Sequence, residues 1–191
     1  MIIHRVLDIP ELTKQLTGEE VVPGMNDPWR SRVRALSRAI TLVENDPLLA
    51  VEVMEHAKFK NSTIASRVIG LTGLPGAGKS TLSNLLVRTL RTQGKTVAVL
   101  AVDPSSPLSG GAILGDRLRM QEHFRDPGVF IRSMGARGSL GGIARATRAA
   151  IRLSGLLNFD YIFVETVGIG QSESEIVELA DTTILVLMPN S

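Results

Sequence analysis

Eight consecutive residues carry the densest chemical signal in this chain: Gly73-Leu74-Pro75-Gly76-Ala77-Gly78-Lys79-Ser80. They fit the pattern G-x-x-x-x-G-K-[ST] in full, and Thr81 follows as the next residue of the same segment. The chemistry of such a loop is the binding of a polyphosphate. Glycines let the backbone turn tightly and bring its N–H groups close to phosphate oxygens. The N-terminus of a following helix adds the positive end of its dipole. Lys79 supplies a point charge for the β- and γ-phosphates, and the Ser80 hydroxyl is of the type that ligands Mg2+. A Gly-rich turn of no chemical consequence is the bland alternative. For Thr81 the bland reading is a residue of the first helical turn.

A polyphosphate with its metal also asks for carboxylates, and three stand in suitable places. Asp103 ends the run TVAVLAV, Asp116 follows the loop PSSPLSGGAILG, and Glu165 ends the run YIFVE. The carboxyl ends of parallel strands are where such sheets bind ligands. Lys79, Asp103, Asp116 and Glu165 are therefore the candidate catalytic residues, and Ser80, Asp103, Asp116 and Glu165 the candidate metal ligands. Glu165 takes the place usual for the acidic residue at the end of the second site strand, and Gly168 offers a backbone N–H for a γ-phosphate. Each acid has a plainer reading as well. Glu165 serves equally as a cap or an ion-pair partner, Asp116 as the N-cap of a helix, and Asp103 as an Asx turn before Pro104. Gln171, as an orienter of water, and Arg137, as a phosphate or partner contact, are weaker candidates.

These residues need a frame. From Arg67 onward apolar runs alternate with helical patterns: strands at 67–72, 96–102, 129–133, 161–165 and 183–188, helices at 80–92, 116–124, 140–157 and 173–179. Strands this apolar between helices predict a mostly parallel sheet covered on both faces, the α/β architecture of a P-loop NTPase. Ahead of it, residues 1–62 read as a small helical arm. Asp27-Pro28 and Asp46-Pro47 are start signals for two of its helices. Leu12 and Leu16 mark the inner face of a first helix, Val33, Leu36, Ile40 and Val43 that of a second, and Leu48, Val51 and Met54 that of a third running to about Phe59. The expected division is an arm over 1–62 and a nucleotide-binding domain over 63–191.

Composition narrows the class. With 43% hydrophobic residues in 191, the chain has enough apolar material for one core. A net charge of +2 and 4% aromatics argue against a nucleic-acid platform. There is no cysteine, so disulfides and thiolate metal sites are excluded, and the three histidines, His4, His56 and His123, are scattered. No run approaches the ~18–20 apolar residues of a membrane helix, nor does the N-terminus read as a secretory signal. A cytoplasmic protein is expected, or one of the mitochondrial matrix in a eukaryote, with no membrane or nucleic-acid partner.

Four segments together, GLPGAGKSTL, AVDPSSPLSGGAILGDRLRM, FIRSMGARGSLGG and FVETVGIGQSE, resemble the MeaB/ArgK family of P-loop G proteins, which includes the methylmalonic aciduria type A proteins. The resemblance implies GTP or GDP as ligand, Mg2+ as cofactor and slow GTP hydrolysis. It implies a chaperone that gates cobalamin delivery to, and protects, an adenosylcobalamin-dependent mutase of the methylmalonyl-CoA type. Lys79 and Ser80 match the family's P-loop pair, and Asp103, Asp116 and Glu165 its acids at the Mg2+ and switch sites. Family members continue into an Asn-Lys-x-Asp guanine-reading motif and a helical region through which they form homodimers. Neither occurs in these 191 residues, so the sequence reads as C-terminally truncated relative to the family. Three other readings stand beside this one: a metal-insertion GTPase, an ATPase or kinase linked to arginine/ornithine transport, and a non-catalytic binding module.

Overall fold

The computed structural model describes residues 9–55, 65–103, 120–135, 140–166 and 172–188, with backbone alone at residues 9, 47, 53, 54, 103, 121, 140–144 and 172–175. Five strands form one sheet: β1 (Arg67–Thr72), β2 (Val97–Asp103), β3 (Val129–Gly135), β4 (Tyr161–Thr166) and β5 (Thr182–Leu185). Their spatial order is β3-β2-β4-β1-β5 and every pairing is parallel. The chain is thus an α/β protein of the P-loop NTPase type, as the apolar runs predict. Two of its crossovers contain helices α4 (Lys79–Thr92) and α5 (Leu140–Gly155); α6 (Ser172–Leu179) leads into β5.

Pleating divides the strand residues between two faces. Leu71, Val97, Val99 and Phe163 pack with Val87 of α4 and with Met120 on one side. Val68, Ala98, Leu100, Phe130, Ile162 and Val164 lie on the other, against Ala146, Ala150 and Leu153 of α5. This second face also receives the arm, α1 (Ile9–Thr17), α2 (Pro28–Asn45) and α3 (Pro47–Glu55). Leu12, Leu16, Leu36, Ile40 and Val43 belong to the same buried cluster as the sheet. The boundary expected between residues 62 and 63 falls outside the described residues.

Local signals explain where the arm helices begin. Asp27 caps α2, its carboxylate accepting Trp29 N–H at 2.9 Å and Arg30 N–H at 3.2 Å, with Pro28 in the first turn. Asp46 does the same for α3, accepting from Leu48 at 2.9 Å and Leu49 at 3.2 Å. Arg32 then ties the layers together. Its Nε donates to Leu16 O at 2.7 Å and its Nη2 to Leu156 O at 2.8 Å, so one guanidinium joins the ends of α1 and α5. Burial lowers the pKa of that guanidinium.

Three expectations change. Among the described side chains of α3, Ala50 is buried, 1% exposed, and Leu49 packs partly against the same core, while Leu48 is 81% exposed and Val51 faces solvent; the Met54 side chain lies outside the description. The small alanine lets α3 approach α5 closely, a contact that side-chain size hides from a hydrophobicity pattern. The last strand stops at Leu185 rather than 188, because its partner β1 ends at Thr72; Val186 N–H still reaches Thr72 O at 2.8 Å. Of the helix expected over 116–124, the described part is a single 3-10 turn, Gln121–His123.

Two outcomes follow. Ile40→Ala removes a fully buried side chain from a cluster shared by arm and sheet. It should cost about 2–5 kcal/mol and leave a single cooperative transition in urea; loss of the arm alone in a separate transition would contradict this. In acid, the hydrogen bond from Arg91 holds Asp126 below its ordinary carboxylate pKa of 3.8. A depressed folded-state pKa means stability that is complete above pH 3.8 and lost as pH falls toward the folded value. Acid unfolding of Asp126→Asn should therefore be shallower in that window than that of the parent protein.

Candidate functional site

The site begins where β1 ends. Gly73 leaves the strand at φ +134°, and a Cβ there would collide with the carbonyl oxygen of Val186 at the tip of the neighbouring strand. Glycine is thus the residue that lets the loop pass β5. A turn closed by Ala77 N–H on Leu74 O at 3.1 Å carries the chain round to Gly78, which caps α4 at φ +97°. Leu82 N–H closes the first helical bond on Gly78 O at 2.9 Å. The amides ahead of it point along the helix axis toward the loop, the arrangement that attracts anions. At Gly76 and Gly78 a Cβ would meet nothing within 4 Å, so open space adjoins the loop backbone at both glycines.

Lys79 is 6% exposed, and its side chain folds back across the loop. The ammonium donates to Gly73 O at 2.5 Å and to Leu74 O at 2.9 Å. Two carbonyls satisfy a buried cation, yet both are neutral; phosphate oxygens at the same place would bind it more strongly. Ser80, the next residue, points to the sheet. Its hydroxyl donates to Glu165 Oε1 at 2.5 Å across 85 positions of sequence. Glu165 is 2% exposed, so its carboxylate is drawn out of water beside the first turn of α4. The register that brings them together is Leu71 opposite Glu165, with Ala101 of β2 on the other side.

Of the residues singled out by sequence, the structure brings together Gly73 to Gly78, Lys79, Ser80 and Glu165. Thr81 is exposed in the first turn of α4, which matches its plainer reading. Asp103 is the last residue of β2, two positions beyond the Ala101 that pairs with Glu165; its side chain is outside the description. Asp116, Gly168, Arg137 and Gln171 lie outside the described residues. Among those described, no three His, Cys, Asp or Glu side chains gather as a metal cluster. The oxygen donors Ser80 and Glu165 nonetheless fit a hard cation such as Mg2+, which takes one or two protein oxygens and completes its shell with phosphate and water. One contact was missing from the sequence reading: Asn84 Nδ2 donates to Glu122 Oε1 at 2.9 Å, fastening the second turn of α4 to the turn before β3. Neither residue belongs to a motif, so nothing in the pattern marked it.

A family model described as "Methylmalonyl Co-A mutase-associated GTPase MeaB" matches residues 36–191. The chain belongs to the MeaB family. A Pyrococcus abyssi relative, whose name records it as a presumed GTPase, is 54% identical over 156 residues, covering 82% of this chain and 48% of its own. The mouse protein "Methylmalonic aciduria type A homolog, mitochondrial" is 41% identical over 167 residues, 81% of this chain and 40% of its own. Among solved structures, one titled as a LAO/AO transport system kinase superposes with a TM-score of 0.61 at 28% identity, over 93% of this chain and 49% of that one. The MeaB-family chain here thus spans about half the length of the relatives it matches. The P-loop, α4 and β4 all fall within the matched region.

Glu165→Gln keeps the shape of the Ser80 partner and removes its charge. Nucleotide binding in the presence of Mg2+ should weaken roughly 10- to 100-fold, as when an outer-shell carboxylate of a metal site is lost. Binding in EDTA should change little. Equal loss in both conditions, by fluorescence titration of a labelled nucleotide, would assign Glu165 a purely structural role.

Proposed function

We propose that this chain is the nucleotide-binding part of a Mg2+-dependent GTPase. The observation that carries the reading is the Ser80–Glu165 hydrogen bond beside a glycine loop crossed by Lys79. It supports the reading because a hydroxyl, a carboxylate and an ammonium of the types that hold Mg2+ and phosphate stand together at one end of a parallel sheet. Membership of a family described as GTPases supports guanine as the base.

The reaction is attack of water on the γ-phosphorus. The bond from that phosphorus to the β,γ-bridging oxygen breaks, giving GDP, inorganic phosphate and a proton. Chemistry of this kind needs position and charge rather than a covalent intermediate. Loop amides and the start of α4 would hold the phosphate oxygens. Lys79 would exchange the carbonyls of Gly73 and Leu74 for β- and γ-phosphate oxygens. Ser80, and with it Glu165, Asp103 and Asp116, would hold Mg2+, whose charge offsets that building up on the phosphates. Gly168 would offer its N–H to the γ-phosphate.

The biological reading is a G-protein chaperone of an adenosylcobalamin-dependent mutase of the methylmalonyl-CoA type, gating cofactor delivery and protecting the enzyme. The family description and the mouse relative's name support it. The mouse name also supports a mitochondrial setting for eukaryotic relatives. Among the described residues no helix is long and apolar enough to cross a membrane.

Two measurements test this. Lys79→Ala should lower GTP hydrolysis roughly 100- to 1,000-fold, the scale on which one preorganised charge-stabilising group acts; an unchanged rate would leave a binding module. Methylmalonyl-CoA mutase should shift GTP affinity by about 5- to 150-fold, and GTP the mutase affinity by the same factor. Absence of any mutual effect in calorimetry would remove the chaperone reading while leaving the GTPase.

A further inference from the structure

A second concave surface lies at the opposite end of the sheet from the phosphate loop. It is a groove of about 760 Å³ between α2 and the turn leading into β3. Its walls are preformed. Trp29 Nε1 donates to Pro127 O at 2.5 Å, and the indole meets the Phe159 ring edge-on at 5.5 Å. Asp126 is held by two 2.8 Å bonds from Arg91 and accepts Gly128 N–H at 2.8 Å. Both sides of the groove are therefore fixed to the core before anything binds.

The lining combines apolar surface with unneutralised positive charge. Trp29, Val33 and Val129 provide apolar lining, and Phe124 is 52% exposed beside them. Around them stand Arg30, Arg34 and Arg125. Arg38 extends the row along α2, since residues four apart share a helix face. Among the described residues Arg34, Arg38 and Arg125 make no ion pair; Arg30 has Asp27 at 3.5 Å, a carboxylate already engaged in capping α2. Among the described residues lining the groove the one carboxylate, Asp126, is taken by Arg91.

Spacing selects the ligand. From Arg30 to Arg38 the cations extend along about 12 Å of helix, with Arg125 facing them from the other wall. A single phosphate touches one or two of these. Carboxylates spaced along a polypeptide meet the whole row, each guanidinium fork matching one carboxylate, while an apolar side chain covers Phe124. We propose that this groove docks an acidic segment of a partner protein, its carboxylates on Arg30, Arg34 and Arg125 and an apolar residue against Phe124 and Val33. The inference does not rest on the nucleotide reading, because no residue of the groove belongs to the phosphate loop.

Trp29 is the only tryptophan, so its fluorescence reports the groove directly. The full chain would be titrated with a synthetic peptide of Glu-Glu-Leu repeats, a Lys-Lys-Leu peptide, inorganic phosphate, and anionic phosphatidylglycerol vesicles. The expected result is a saturable change with the acidic peptide alone, weakened by added salt. Combining Arg34→Glu with Arg125→Glu should weaken it roughly tenfold or more. The same pair changed to Gln, with smaller loss, and Phe124→Ser serve as milder variants should the charge reversal not fold by circular dichroism. A flat Trp29 signal, equal binding of the basic peptide, or charge-reversed protein that binds like the parent would overturn the proposal. Vesicles or phosphate that act as strongly as the acidic peptide would also overturn it, in favour of a membrane or a simple anion.

Discussion

The register between β1 and β4 is the constraint on which the site depends. Leu71 stands opposite Glu165, and the loop leaves β1 two residues later at Gly73. That alignment sets the carboxylate on the α4 face, where the Ser80 hydroxyl reaches it at 2.5 Å. A slip of β4 by one residue would turn Glu165 to the α5 face and bury an acid beside Val68, Leu100 and Val102 of the neighbouring strands. The apolar cores on both faces resist such a slip, because every strand side chain would exchange faces with it. Packing far from the loop thereby fixes the polar geometry at its tip.

The two ends of the sheet have different physical characters. At the carboxyl ends, backbone amides, a buried ammonium and a buried carboxylate converge on one small volume. At the amino ends, turns are pinned by side chains. Asp160 accepts from Thr96 N–H at 2.8 Å, and Asp126 is clamped by Arg91. Backbone and side-chain hydrogen bonds from Thr96, with Lys95 close by, lower the Asp160 pKa. The helical arm bridges these ends, with Arg132 of β3 paired to Glu44 of α2 and the Gly135 N–H bonded to the same carboxylate at 3.1 Å. Glu44 thus covers part of the open edge of β3, a position where an unpaired strand would otherwise invite association.

Much of this was legible from residue order, and the parts that were not share a cause. β1 begins and ends where the run RVIGLT does: exposed Arg67 opens it, and Gly73 at φ +134° turns the chain away after Thr72. Asp27-Pro28 and Asp46-Pro47 mark helix starts because capping is local chemistry. The meeting of Ser80 with Glu165 was foreseeable as two candidate metal ligands, one opening the helix after β1 and one near the end of β4, though the strand order that makes β1 and β4 neighbours comes only from three dimensions. The burial of Ala50 in α3 was not foreseeable, because close helix approach rewards small side chains that a hydrophobic pattern passes over. The arginine-lined groove was equally hidden. Arg30 and Arg34 share a helix face, but Phe124 and Arg125 sit in a turn about ninety residues away and meet them only through the fold.

A crystal structure with a non-hydrolysable GTP analogue and Mg2+ would test the central claim most directly. The account predicts β- and γ-phosphates inside the loop of residues 73–80, Mg2+ on Ser80 Oγ, and the Lys79 ammonium moved from Gly73 O and Leu74 O onto phosphate oxygens. A loop that stays closed over Lys79 while the analogue binds elsewhere, or fails to bind, would contradict it.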